Sequence, residues 1–179
     1  MKSANRHVKH MRSVNPGDEA EVHQLLCVPQ VYEYLADGVE PPPSIAADWI
    51  SVAGADAERY GGGLWALTGP REQRVLGLVR LSDYAEGEME LTFLLHPDVW
   101  GSGFATRMAH TAMHHAFAFG AVSAIWAGAD VPNAGSIAVL RRLGMQLRRE
   151  VEYPAGSGVE YAMAAAAFDA GRVERLSIT

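Results

Sequence analysis

Hydrophobic positions change their spacing along the chain, and the change divides it. After a polar start, Pro16-Gly17-Asp18 opens a stretch in which Val22, Leu25 and Leu26 stand at i, i+3 and i+4. That spacing predicts an amphipathic helix ending near Pro29, followed by a second short helix carrying Val31, Tyr34 and Leu35. Pro41, Pro42 and Pro43 fix successive φ angles and offer no amide donors, so residues 38–44 read as a stiff loop. Ser44 is placed to cap a further helix that shows Ile45, Trp49 and Val52 on one face.

From residue 64 the spacing becomes two. Runs over 64–69, 75–84 and 88–96 are joined by turns at Pro70-Arg71-Glu72-Gln73 and Ala85-Glu86-Gly87, which predicts an antiparallel meander. In the third run Met89, Leu91, Phe93 and Leu95 share one face, while Glu88, Glu90, Thr92 and Leu94 share the other. A helix over 105–119 ends at Gly120, and a strand covers 121–130. A helix is capped by Asn133 and closed by Gly144, and strands over 145–154 and 158–166 complete the order. The fold class is therefore α+β, a mixed and mostly antiparallel sheet flanked by helices, in a single domain over 1–179 with early helices at 16–60 and a core at 64–164.

Composition narrows the setting. A chain of 179 residues suffices for one domain, and 49% hydrophobic with 20% charged residues suits a soluble globular protein. Its apolar runs are too short for a bilayer span, and the basic N-terminus precedes no apolar signal region, so a cytoplasmic location is expected, with no membrane partner. Cys27 has no partner for a disulfide or a zinc site and reads as a small buried residue on a helix. With a net charge of −6 and scattered basic residues, nucleic acid is not expected as a partner.

Between the third strand and its helix lies Val99-Trp100-Gly101-Ser102-Gly103-Phe104-Ala105-Thr106. A glycine-rich turn into a helix presents free amides and the positive end of the helix dipole, as an anion site requires. It lacks the Lys-Ser/Thr of a Walker loop and has only two glycines of the dinucleotide fingerprint. Taken alone, it fits either a phosphate cradle or a tight structural turn.

The segment running from Thr92 through this turn to Phe117, with Asn133 to Met145 after it, resembles the GNAT superfamily of N-acetyltransferases, in particular the branch of ribosomal-protein alanine acetyltransferases. The likeness spans about residues 12–165, with its specific part at 88–145. Gly103 and Ala105 match the small positions of the superfamily's loop, and Trp100 replaces its Gln or Arg, as in that branch.

The resemblance implies acetyl-CoA as co-substrate and no metal. Backbone groups of Phe93, Leu94 and Leu95 would meet the pantetheine arm, and the Leu95 amide would serve as oxyanion donor. Amides of Gly101, Ser102, Gly103, Phe104, Ala105 and Thr106 would hold the pyrophosphate, with Trp100 packing the core or flanking the cofactor. Asn133 and Ser136 would lie along the pantetheine, Asn133 being equally an N-cap.

Glu90 is the candidate base, or else a substrate-orienting carboxylate; a bulge would be needed for Met89, one residue earlier, to share its face. The tyrosine acid of many members corresponds to Leu140, which leaves Ser136, water or direct thiolate release. His96 is a candidate proton shuttle, and Asp83 and Tyr84, in a loop after the second strand, are acceptor-site candidates. His110 and His114 read as exposed helix residues, and Trp49, Trp65 and Trp126 as core.

The acceptor would be a primary amine, either a protein N-terminal α-amine or a small molecule. Loops at 36–44 and 150–158 would set its identity, with Asp37, Glu40, Glu86 and Glu152 as acidic candidates. The C-terminal strands offer a surface for a homodimer. Two other readings stand beside the enzyme: a non-catalytic acyl-CoA-binding sensor or interaction module of the same fold, and a nucleotide-binding protein using the same turn.

Overall fold

The computed structural model describes residues 10–35, 38–69, 74–153 and 156–178. The turn predicted at 70–73 and the candidate Asp37 lie outside the described residues. Strands β1 (His10–Ser13), β2 (Gly63–Thr68), β3 (Val75–Ala85), β4 (Glu88–Leu95), β5 (Ala124–Asp130), β6 (Gln146–Tyr153) and β7 (Gly156–Ala164) form one sheet in the order β1-β2-β3-β4-β5-β7-β6. All neighbours pair antiparallel except β4 and β5, so the sheet is mixed and mostly antiparallel as expected.

The sheet separates two apolar layers, because alternate residues of each strand face opposite ways. Trp65, Leu67, Val79, Leu81, Met89 and Leu91 join α4 (Phe104–Phe119) and α5 (Ala134–Leu143) on one side. Leu64, Ala66, Val75, Leu78 and Leu94 join α1 (Glu19–Leu26), α2 (Pro29–Tyr32) and α3 (Ser44–Tyr60) on the other. Each fully buried Leu or Met in these layers contributes roughly 1.5–3 kcal/mol from apolar burial.

β1 was not expected. Its residues His10-Met11-Arg12-Ser13 read as polar, yet Met11 is fully buried and Arg12 is held by Asp18 at 2.7 and 2.6 Å. In α3 the buried face runs through Ala46, Ala53 and Asp56, and Val52 is exposed. Trp49 sits at its rim, with the Arg80 guanidinium 5.1 Å from its ring. Ser44 is the first residue of α3 and makes no capping bond. Cys27 is half-buried at the end of α1, its Sγ 3.4 Å from His23 Nε2, rather than a buried helix residue.

His110 corrects a second expectation. It is fully buried, because the chain after β7 returns as a strap across α4. Phe168 stacks on His110 and Phe117 at 4.9 and 5.1 Å, and His110 Nε2 lies 3.0 Å from the Asp169 carbonyl oxygen. Further on, the Leu176 amide donates to Thr111 Oγ1 at 3.0 Å and the Met11 amide donates to the Ser177 carbonyl. The strap thereby joins α4 to β1.

What positions the site is the join between β4 and β5. Their parallel pairing covers only Glu88↔Ala124, Met89↔Ile125 and Glu90↔Trp126, while β5 continues beside β7 to Asp130. Beyond Glu90 the two strands part, and a slot opens between 91–95 and 127–130.

Candidate active site

The alternation of antiparallel hydrogen bonding identifies which groups of β4 face the slot. The His96 amide donates to Leu76 O at 2.8 Å, and the register with β3 runs unbroken from Ser82↔Glu90 to Gly77↔Leu95. The main-chain groups of Leu94, Thr92 and Glu90 therefore point to β3, and those of Leu95, Phe93 and Leu91 point away from it. Leu94 is thus spent on the sheet. The Leu95 carbonyl accepts from Trp100 Nε1 at 2.7 Å, which leaves the Leu95 amide and both main-chain groups of Phe93 toward the slot. With no bulge in this stretch, Glu90 stays on the face opposite Met89.

At the slot's end the chain turns through a short 3-10 turn, Pro97–Val99, and then Gly101 and Gly103, with φ of 71° and 81°. A left-handed backbone here tilts the chain into α4 so that its first turn opens outward. A Cβ on either glycine would meet nothing within 4 Å, so the space before the turn is open. Gly103 supplies no side-chain cap, and the first helical bond is Arg107 N–H to Gly103 O at 3.1 Å. The amides of Phe104, Ala105 and Thr106 consequently have no acceptor among the described residues. Ser102 Oγ donates to the Val99 carbonyl and braces the turn. Trp100 is 55% exposed beside it, flanking the turn rather than packing the core.

Slot and turn are parts of one cleft of about 1530 Å³. It is lined by every residue singled out above for a cofactor, 93–95, 100–106, Asn133 and Ser136, and also by Glu90. Asn133 Oδ1 accepts the Ser136 amide at 3.0 Å, capping α5 and leaving its Nδ2 donors without a partner among the described residues. Leu140 is fully buried in the core. His96 lies apart, between Arg74 and Asp98, and does not line the cleft.

Burial pushes the Glu90 carboxyl above the ordinary carboxylate range, opposed by Arg80 and reinforced by Glu160. Glu160, 5% exposed, is held by Arg149 at 2.7 and 3.0 Å. Tyr84 belongs to β3 rather than to a loop, and its ring stacks on Trp126 at 4.5 Å, beneath the cleft wall. Neither Tyr84 nor Asp83 lines the cleft.

Tyr153 does line it, and sequence reasoning missed it. A Cβ on Gly128 would strike the Tyr153 hydroxyl, and one on Gly158 would strike its ring. Two glycines inside adjacent strands were the available signal, since they mark a close approach of another group. Burial raises the Tyr153 phenol as well, so it stays neutral. Among the described residues no group of His, Cys, Asp and Glu could hold a metal ion, and no helix is long and apolar enough to cross a membrane.

A sheet splayed at one parallel join, with an open glycine turn at its mouth, defines an α+β protein built around an extended cleft with free amides. Residues 10–146 match the acetyltransferase (GNAT) domain family, and the chain belongs to that family. Its fold is similar to that of the spermidine N-acetyltransferase of Vibrio cholerae in complex with CoA and spermine, at 14% identity, TM-score 0.71, covering 89% of this chain and 97% of that one. It is similar to RimL, a ribosomal α-N-protein acetyltransferase in complex with coenzyme A, at 15% identity, TM-score 0.72, covering 86% and 92%. An aminoglycoside acetyltransferase in complex with coenzyme A matches at 16% identity, TM-score 0.72, covering 92% and 99%.

Proposed function

We propose that the protein transfers the acetyl group of acetyl-CoA to a primary amine by direct attack. The observation that carries this reading is the continuous path from the unpaired strand groups of Phe93 and Leu95 to the three free amides of the turn. A long thioester with a pyrophosphate partway along it matches that path: the amides of Gly101 through Thr106 take the pyrophosphate, and the strand edge takes the pantetheine amides. Asn133 Nδ2 supplies a further donor along the arm.

In the reaction the amine nitrogen attacks the thioester carbonyl carbon, and the developing oxyanion is held by the Leu95 amide. Glu90 accepts the proton that the amine must lose, directly or through water, and its raised pKa makes it a stronger base than a solvated carboxylate. The carbon–sulfur bond then breaks, and the thiolate is protonated from water with Ser136 as hydrogen-bond donor, because the buried Leu140 offers no acid. The amine enters from the end bearing Glu33, Glu90, Asp130, Tyr34 and Tyr153, which suits an acceptor that is cationic in solution, whether a small polyfunctional amine or a protein α-amine.

The test is saturable acetyl-CoA binding together with release of free thiol across a panel of small amines and peptides with free N-termini. Turnover with any amine supports the enzyme. Tight binding without turnover across the panel replaces it with an acyl-CoA sensor, and competition by ATP or NAD but not CoA overturns both.

A further inference from the structure

The charged groups of the cleft are unevenly spread. Glu33, Glu90 and Asp130 group about Tyr34 and Tyr153, while the fourth lining carboxylate among the described residues, Glu174, is paired with Arg107. Every arginine or lysine lining the cleft among the described residues lies elsewhere: Arg107 on α4, Arg142 in the last turn of α5 and Arg172 on the C-terminal strap.

These three meet where the strap crosses between α4 and α5. Arg107 Nε donates to the Glu174 carbonyl at 3.3 Å, and its guanidinium lies 3.5 Å from the Glu174 carboxylate. Arg172 Nε donates to the Arg142 carbonyl at 2.9 Å, against the negative end of α5. The Arg172 guanidinium rests over Gly144, where a Cβ would come within 3.0 Å of Cζ. Arg142 and Arg172 make no ion pair with any carboxylate among the described residues. Two unpaired guanidinium groups, one held in place by its own Nε, present donors shaped for a phosphate.

On the acetyl-CoA reading, the thioester lies in the slot and the pyrophosphate at the start of α4. The adenosine end then continues toward Arg107, Arg142 and Arg172, carrying its 3′-phosphate dianion. We propose that the C-terminal strap completes the donor site, with Arg172 and Arg142 binding the 3′-phosphate and giving the protein a preference for CoA over 3′-dephospho-CoA. The inference rests on the proposed function.

Titration of CoA and of 3′-dephospho-CoA, followed by the fluorescence of the exposed Trp100, tests it. The intact protein is expected to bind CoA about tenfold more tightly, the size of a charge-assisted contact to phosphate discounted for exposure. Arg172→Ala and Arg142→Ala are each expected to weaken CoA alone, and together to bring the two ligands within about twofold, while Arg172→Lys retains part of the preference. The preference is also expected to shrink in about 0.5 M salt. Equal affinity of the intact protein for both ligands overturns the assignment but leaves the donor site standing. Equal weakening of both ligands by Arg172→Ala overturns it in favour of a purely structural strap. Binding of neither ligand by the intact protein removes the acetyl-CoA reading and this inference together.

Discussion

The indole Nε1 of Trp100 donates to the main-chain carbonyl of Leu95 across 2.7 Å, so a hydrogen bond ties the end of β4 to the mouth of the glycine turn. Trp100→Phe keeps a ring and deletes the donor. A lost hydrogen bond of about 1 kcal/mol corresponds to roughly fivefold weaker acetyl-CoA binding. KM should rise by that factor with kcat nearly unchanged; a fall in kcat with constant KM would place Trp100 in the chemistry instead.

Gly103 has φ of 81° and open space before it. Gly103→Asn tolerates the left-handed backbone and should cost less than about 1 kcal/mol in thermal unfolding while permitting acetyl-CoA binding. Gly103→Glu should remain folded and bind no acetyl-CoA, because its carboxylate repels the pyrophosphate. Normal binding by the glutamate variant would move the site elsewhere.

Glu90→Gln removes the proposed base and keeps its shape. A general base contributes about 10²–10⁴-fold, so kcat should fall at least about a hundredfold with acetyl-CoA affinity unchanged. The raised folded-state pKa means that Glu90 favours folding below its unfolded pKa, and that this contribution is lost as pH rises through the folded value. The variant should therefore melt no lower than the parent at neutral pH. Its kcat/KM profile should also lack the acidic limb expected of the parent above the ordinary carboxylate range. An unchanged profile would exclude Glu90 as the base.

Asp18 is held by Arg12 and by the Asn15 amide, and its carboxyl is pushed below the usual range, chiefly by the Arg12 hydrogen bonds. Arg12→Ala leaves a largely buried carboxylate with only its amide partner and should cost roughly 2–3 kcal/mol at pH 7. A depressed pKa contributes stability above the unfolded value and loses it as pH falls through the folded one. The gap between parent and variant in urea unfolding should thus close in acid; a gap that persists at pH 2 would assign the loss to packing.

Much of the architecture was legible because the local pattern and the final environment agree. β2 to β5 alternate between layers that both exist, α4 and α5 end at glycines in the left-handed region, and Asn133 caps α5 as its position suggested. β1 escaped because its one apolar residue, Met11, is buried against β2 and the strap, contacts distant in sequence. His110 escaped for the same reason: its burial depends on Phe168 and Asp169, more than fifty residues onward.

For the site, the chain's own order of residues specified a turn with free amides, a strand leading into it and a capped helix beyond, since each depends on neighbours within a few positions. Which strand groups are free, that Leu95 spends its carbonyl on Trp100, that Tyr153 covers Gly128 and Gly158, and that Arg172 reaches Arg142 all follow from where β4 and β5 part and where the strap crosses. Those are long-range packing outcomes. Hydrogen-bond direction and burial belong to pairs of elements, and no local stretch of residues encodes them.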